Sequence, residues 1–155
     1  MKRPSLAELA QMAEVVAAVA VVLSLVYVGR ELRSNTAAVR GTVRQAISDA
    51  ASASLLPIAA DSALSRIRQL GDEDPSLLDE AEAYCHRLVM RQFWAAMANV
   101  YDQHELGLLD SQVWSGYLST ICGAWARTGP RETWPDHRPV VARGFAELVE
   151  ACAPQ

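Results

Sequence analysis

The side chains with the most chemical potential in this chain are three histidines, His86, His104 and His137, and three cysteines, Cys85, Cys122 and Cys152. Glu82 precedes Cys85 by three positions and His86 by four, so one helical turn would carry all three. A two-metal helical bundle needs Glu-x-x-His on each of two helices, with further carboxylates from two more. Here the spacing is Glu-x-x-Cys and Glu-x-x-x-His, without a second copy. His86 is therefore expected as a surface or partly buried helix residue, His104 at a helix end and His137 in a loop, none with partners at zinc spacing. No Gly-x-Ser-x-Gly elbow, glycine-rich phosphate loop or recognisable Cys-His motif offers other chemistry. The cysteines are odd in number and far apart, with no C-x-x-C pair, and read as reduced, mostly buried thiols of a reducing compartment. The expectation is a non-enzyme with no cofactor and no metal.

What must be explained instead is the scaffold that holds these residues. The chain has 155 residues, enough for one domain, or for a smaller domain plus an anchor. It is 51% hydrophobic with 8 glycines and 7 prolines, which excludes disorder and collagen-like repeats. Ala, Leu, Glu and Arg dominate beyond the first thirty positions, and these lose little entropy in a helix. The fold class that follows is all-α: a long N-terminal transmembrane helix continuing into a small cytoplasmic helical bundle. The net charge of -4 hides a basic start, with Lys2, Arg3, Arg30, Arg33, Arg40 and Arg44 against Glu8, Glu14 and Glu31. An acidic remainder disfavours nucleic acid as a partner, while the basic end faces a membrane surface.

Met12 to Gly29 contains one charge, Glu14, near its start; as a helix it spans roughly 27 Å, against a hydrocarbon thickness of about 30 Å. Seven valines with Leu23 and Leu25 favour insertion, and Tyr27 falls where aromatic rings prefer the interface. Two alternatives stand beside the anchor. A soluble oligomer could bury the apolar helix as a core element. A signal peptide cleaved near Thr36–Ala38 is disfavoured, because Arg30, Glu31 and Arg33 separate that site from the apolar run. Basic residues before the span are Lys2 and Arg3, and after it Arg30, Arg33, Arg40 and Arg44. The positive-inside rule then places the C-terminal region in the cytoplasm, with residues 1–30 as tail and span and 31–155 as the helical cytoplasmic domain. Arg30 and Arg33 are candidate contacts for lipid headgroups. Ala10, Ala13, Ala17, Ala20 and Ser24 form a heptad seam of small residues, a candidate helix–helix contact in lipid.

Beyond the span, no breaker appears until Pro57, so the first helix is expected to continue as far as that proline. Leu32, Thr36, Val39, Val43, Ala46 and Ala50 form its apolar face. Asp61 is expected to cap a helix over 62–70 closed by Gly71, and Ser76 a long helix to Glu105. The inward face of that helix would carry Leu77, Ala81, Tyr84, Cys85, Leu88, Phe93, Trp94, Met97, Val100 and Tyr101. Gly107 ends it, and Asp110 caps a helix over 111–126. "TGPRETWPDHRP" is expected as a loop with at most one helical turn, followed by a helix over 138–151 carrying Val140, Val141, Phe145, Leu148 and Val149. Asn35 and Thr36, poor helix formers, favour a structural contact over a tolerated surface choice. Trp114, Trp125 and Trp134 are expected to close the end of a small core; the alternative is an exposed surface with Arg127, Arg131 and Arg138.

"SLVYVGRELRSNTAAVR", Ser24 to Arg40, resembles the signature of a group of small bacterial proteins without assigned activity. In that group a Ser-Leu-x-Tyr membrane helix runs into Arg-x-Asn-Thr-x-Ala-Val-Arg. "GLLDSQVW", Gly107 to Trp114, and "TGPRETW", Thr128 to Trp134, are similar to its C-terminal half, while Glu31 stands where the group has Gln. The resemblance implies a membrane-anchored helical bundle. Together these readings predict a single-pass membrane protein acting as an interaction or scaffolding module, with lipid and a second copy or another membrane protein as partners; the alternatives are a soluble oligomer that buries its apolar helix and an enzyme or ligand-binding bundle whose site the sequence does not display.

Overall fold

Helix ends are set by where the backbone finds side-chain acceptors, and four aspartates do most of this in the chain. The computed structural model describes residues 6–152, and for residues 7–10 the backbone alone. The described residues are all-α, with six helices and no strand: α1 (Leu6–Ala60), α2 (Ser62–Glu73), α3 (Glu80–Glu105), α4 (Ser111–Trp125), α5 (Thr128–His137) and α6 (Arg143–Ala151). Short 3-10 turns cover Pro75–Leu77 and Arg138–Val140. Contacts divide the chain into two units, Met1–Gly41 and Thr42–Gln155.

The described part of the first unit is helix throughout, and every side chain described in it is exposed. This includes all the valines and leucines from Val15 to Val28. Among the described residues α1 is the one helix long and apolar enough to cross a membrane. Two polar groups in it are satisfied locally: the Ser24 hydroxyl donates to the Ala20 carbonyl and the Thr36 hydroxyl to that of Leu32, both at 2.8 Å. α1 also continues three residues past the expected stop, with Pro57 inside its last turn.

In the second unit the end of α1 buries little of the face expected: Val43 in part, beside Ile47, which lies outside that face. Ile47 is buried and Val43 half-buried against Val100 and Leu109, while Leu32, Thr36, Val39, Ala46 and Ala50 are exposed. Ile47 lies one position from Ala46, and where two apolar ridges compete the larger side chain removes more area from water.

The main core is built by Met90, Trp94 and Met97 of α3, Ile121 and Ala124 of α4, Trp134 of α5, and Phe145, Ala146 and Val149 of α6. Trp134 is its hub: its ring lies 4.9 Å from Trp94, 5.9 Å from Trp125 and 6.2 Å from Phe145, all edge-on. The tryptophans thus close the core, as the sequence favoured. α5 itself corrects an expectation, since a loop was read where ten helical residues stand. Pro130 is tolerated because the first turn leaves its N–H positions without intrahelical acceptors. Burial of Gly129, Pro130, Thr133, Trp134 and His137 then holds the helix in place.

α3 begins at Glu80 rather than Ser76, because Asp79 and Glu82 form a reciprocal capping box, at 2.8 and 3.2 Å. Its rotation is also corrected. Trp94, Met97 and Val100 face inward as expected, and so do His86 and Met90, but Leu77, Ala81, Tyr84 and Leu88 are exposed and Cys85, Phe93 and Tyr101 only half-buried. Gly107 ends the turn after α3 in the left-handed region, φ +69°, its N–H donating to His104 at 2.8 Å. α6 starts at Arg143, and Val140 is exposed.

Candidate functional site

The chain's most concentrated polar chemistry lies where α2 meets α5. Gly71 was expected to end α2, yet the helix runs on to Glu73 with Gly71 and Asp72 buried inside it. The glycine serves packing. A Cβ there would fall 2.4 Å from the His86 ring, and one on Gly129 would fall 1.8 Å from the Gly71 carbonyl oxygen. Two backbones therefore touch at Gly71 and Gly129, and the side chains around them close over a single carboxylate.

That carboxylate is Asp72, 3% exposed. One oxygen accepts from Arg68 Nε at 2.8 Å and Arg127 Nη1 at 3.0 Å; the other lies 3.0 Å from His86 Nε2. Burial pushes the Asp72 pKa up as the largest single effect. The His86 hydrogen bond, the Arg68 charge and hydrogen bond, and the His86 charge together outweigh it, so the net shift is downward. His86, 2% exposed, is a correction to the surface or partly buried residue expected from the sequence. An Asp–His pair could orient a general base, but such a base must reach substrate. With both members buried and the ring against Gly71, this pair fastens α2, α3 and the start of α5 together.

A second polar region is a cleft of about 370 Å³ along α3, lined by Arg91, Trp94, Asn99, Asp102 and His137 among others. His137, expected in a loop, ends α5 at 5% exposure. Burial lowers its pKa; Asp136 opposes this and Arg91 adds to it, so the ring favours the neutral form. His137 Nε2 and Trp94 Nε1 are buried and find no hydrogen-bond partner among the described residues. A ligand in the cleft would not touch those atoms without rearrangement. His104 stacks on Trp114, centroids 4.2 Å apart and planes 4° from parallel. No group of three potential metal ligands stands together among the described residues.

The cysteines give the second large correction. Cys122 and Cys152 form a disulfide between α4 and the end of α6, with Cα atoms 5.0 Å apart, and Cys85 alone is free and half-buried. Thirty residues of separation left no sequence signal for this pairing. In the first unit, Ala13, Ala17, Ala20 and Ser24 are exposed on α1, while the side chain of Ala10 lies outside the described residues. Arg30 and Arg33 are exposed. Of the loop arginines, Arg127 bonds Asp72, and Arg138 pairs with Glu150, which also accepts from Trp134 Nε1 at 3.2 Å.

Comparison of the chain with known protein families, with curated proteins and with solved structures finds no match. This accords with a group of proteins that carries no assigned activity.

Proposed function

We propose that the protein is a membrane-anchored helical interaction module that self-associates. The observation that carries this reading is the stretch Val15 to Val28, apolar and exposed on every side. A run of that length and composition left in water would be an aggregation surface; in hydrocarbon its backbone is satisfied within the helix and its side chains favour insertion. Arg30 and Arg33 then lie at the headgroup level, and the small-residue seam from Ala13 to Ser24 supports close approach of a second helix. Carbonate and detergent washes of a membrane pellet test the anchor. Release by detergent alone supports it, and full recovery in the soluble fraction overturns it in favour of an oligomer that buries α1.

On orientation, the excess of Arg after the span supports a cytoplasmic C-terminal domain. The Cys122–Cys152 disulfide favours a second reading, with that domain on the oxidising side, since cytoplasmic thiols are kept reduced. Labelling of intact cells by a membrane-impermeant reagent at Cys residues introduced singly near Arg143 separates the two. Labelling without permeabilisation places the domain outside the cytoplasm.

A further inference from the structure

We infer that the outward face of α3 is a docking surface for a second copy of this chain, which it meets antiparallel. The inference rests on the self-associating reading above and names the contact. Ala81, Tyr84 and Leu88 recur at three- and four-residue spacing on that face, and all are exposed, Tyr84 at 58% and Leu88 at 48%. Scattered exposed apolar residues are ordinary, but a row at helical spacing is the form a helix–helix seam takes.

Charge order selects the occupant and its direction. The face is acidic at its start, with Glu80, and basic beyond its centre, with Arg87 and Arg91. Glu80 and Arg91 make no ion pair among the described residues, and Arg87 lies over its own Tyr84 ring, 5.8 Å from the centroid. A parallel pair would set Glu80 against Glu80 and Arg87 against Arg87. An antiparallel pair with its two-fold axis between Tyr84 and Cys85 does the reverse. It places Glu80 of one copy between Arg87 and Arg91 of the other, small Ala81 against Leu88, and Tyr84 beside Cys85. The surface is thus self-complementary in charge and in size, as a two-fold interface must be.

The test uses the purified full-length protein in detergent, with mass measured by light scattering and Cys85 joined across the axis by a short bismaleimide. A dimer that Leu88→Glu and Glu80→Arg each convert to monomer, with loss of the crosslinked product and unchanged helical circular dichroism, supports the inference. Its sharpest support is return of the dimer in the triple variant Glu80→Arg, Arg87→Glu, Arg91→Glu, which inverts the charge order. An oligomer indifferent to all these changes overturns the α3 contact while self-association stands. Loss of that oligomer in Ala17→Leu, Ala20→Leu would then assign it to α1. A wild-type monomer overturns both readings together.

Discussion

The two units of this chain solve the problem of apolar side chains in opposite ways. In residues 12–28 of α1 the valines and leucines are exposed, whereas in the second unit Met90, Trp94, Ile121, Phe145 and Val149 are among the buried residues of one core. Both regions are helical and carry apolar side chains. The difference teaches that helical structure here does not depend on burial in the protein: α1 satisfies its backbone internally while its apolar side chains from Val15 to Val28 stay exposed. The bundle derives its helices' positions from packing, so truncating a side chain should have unequal consequences in the two regions.

The largest contrast is expected between Phe145→Ala and Leu25→Ala. Phe145 is fully buried, and its loss should destabilise the bundle by about 3–5 kcal/mol. Leu25→Ala should leave the bundle's unfolding midpoint in detergent unchanged, because Leu25 is exposed. Equal shifts in the two denaturation curves would break the comparison. For membrane retention the order inverts: Val22→Lys should weaken recovery in the pellet, since a mid-span cation costs about 2.5–3.5 kcal/mol to insert, and Phe145→Ala should not.

Next in size is the disulfide. Reduction of Cys122–Cys152 frees a loop of 30 residues in the unfolded chain and should cost the bundle about 3–4 kcal/mol, read as a lower thermal midpoint in reductant. Cys122→Ser should show the same loss without reductant and no further response to it.

Smaller again is Asp72→Asn, which keeps the shape of the side chain between Arg68, His86 and Arg127 and removes its charge. Hydrogen bonds to a charged group are worth about 1.5–3 kcal/mol, and urea unfolding at neutral pH should register a loss in that range. The sign with pH follows from the lowered pKa of Asp72. The stability it adds is complete above the unfolded carboxylate value and is lost as pH falls through the depressed folded value. Wild type and Asp72→Asn should therefore converge in strongly acidic solution, and parallel curves down to that range would remove Asp72 from the account. Smallest of all is Arg143→Ala, which breaks an exposed pair with Glu147 and should leave the midpoint within error.

Legibility followed the caps. Asp61 and Asp110 cap α2 and α4 where the sequence placed them, because each accepts from N–H groups two or three residues away. α5 and α6 have Arg127 and Ala142 at their N-cap positions and no side-chain cap, and the sequence reads the first as a loop and starts the second too early; it also starts α3 at Ser76, ahead of the Asp79 cap. α3 is legible but not its rotation: its apolar positions exceed what one face can bury, so hydropathy alone places Tyr84 and Leu88 inward and leaves His86 as a surface or partly buried residue. Neither Gly71 nor Asp72 announced its role, since a glycine near a helix end and an aspartate in an acidic turn are ordinary there.

By itself, the sequence determined what depends on neighbours within about a turn: the all-α class, the caps at Asp61 and Asp110, the stop at Gly107, and an apolar run long enough to cross a bilayer. The tertiary structure decided what depends on distant partners. His86 is 14 positions from Asp72, Arg127 is 55 from it, and Cys152 is 30 from Cys122. The physical reason is range. A capping bond is made by the segment that displays it, but a buried carboxylate is tolerable only once Arg68 of its own helix has been joined by His86 and Arg127 from distant parts of the chain.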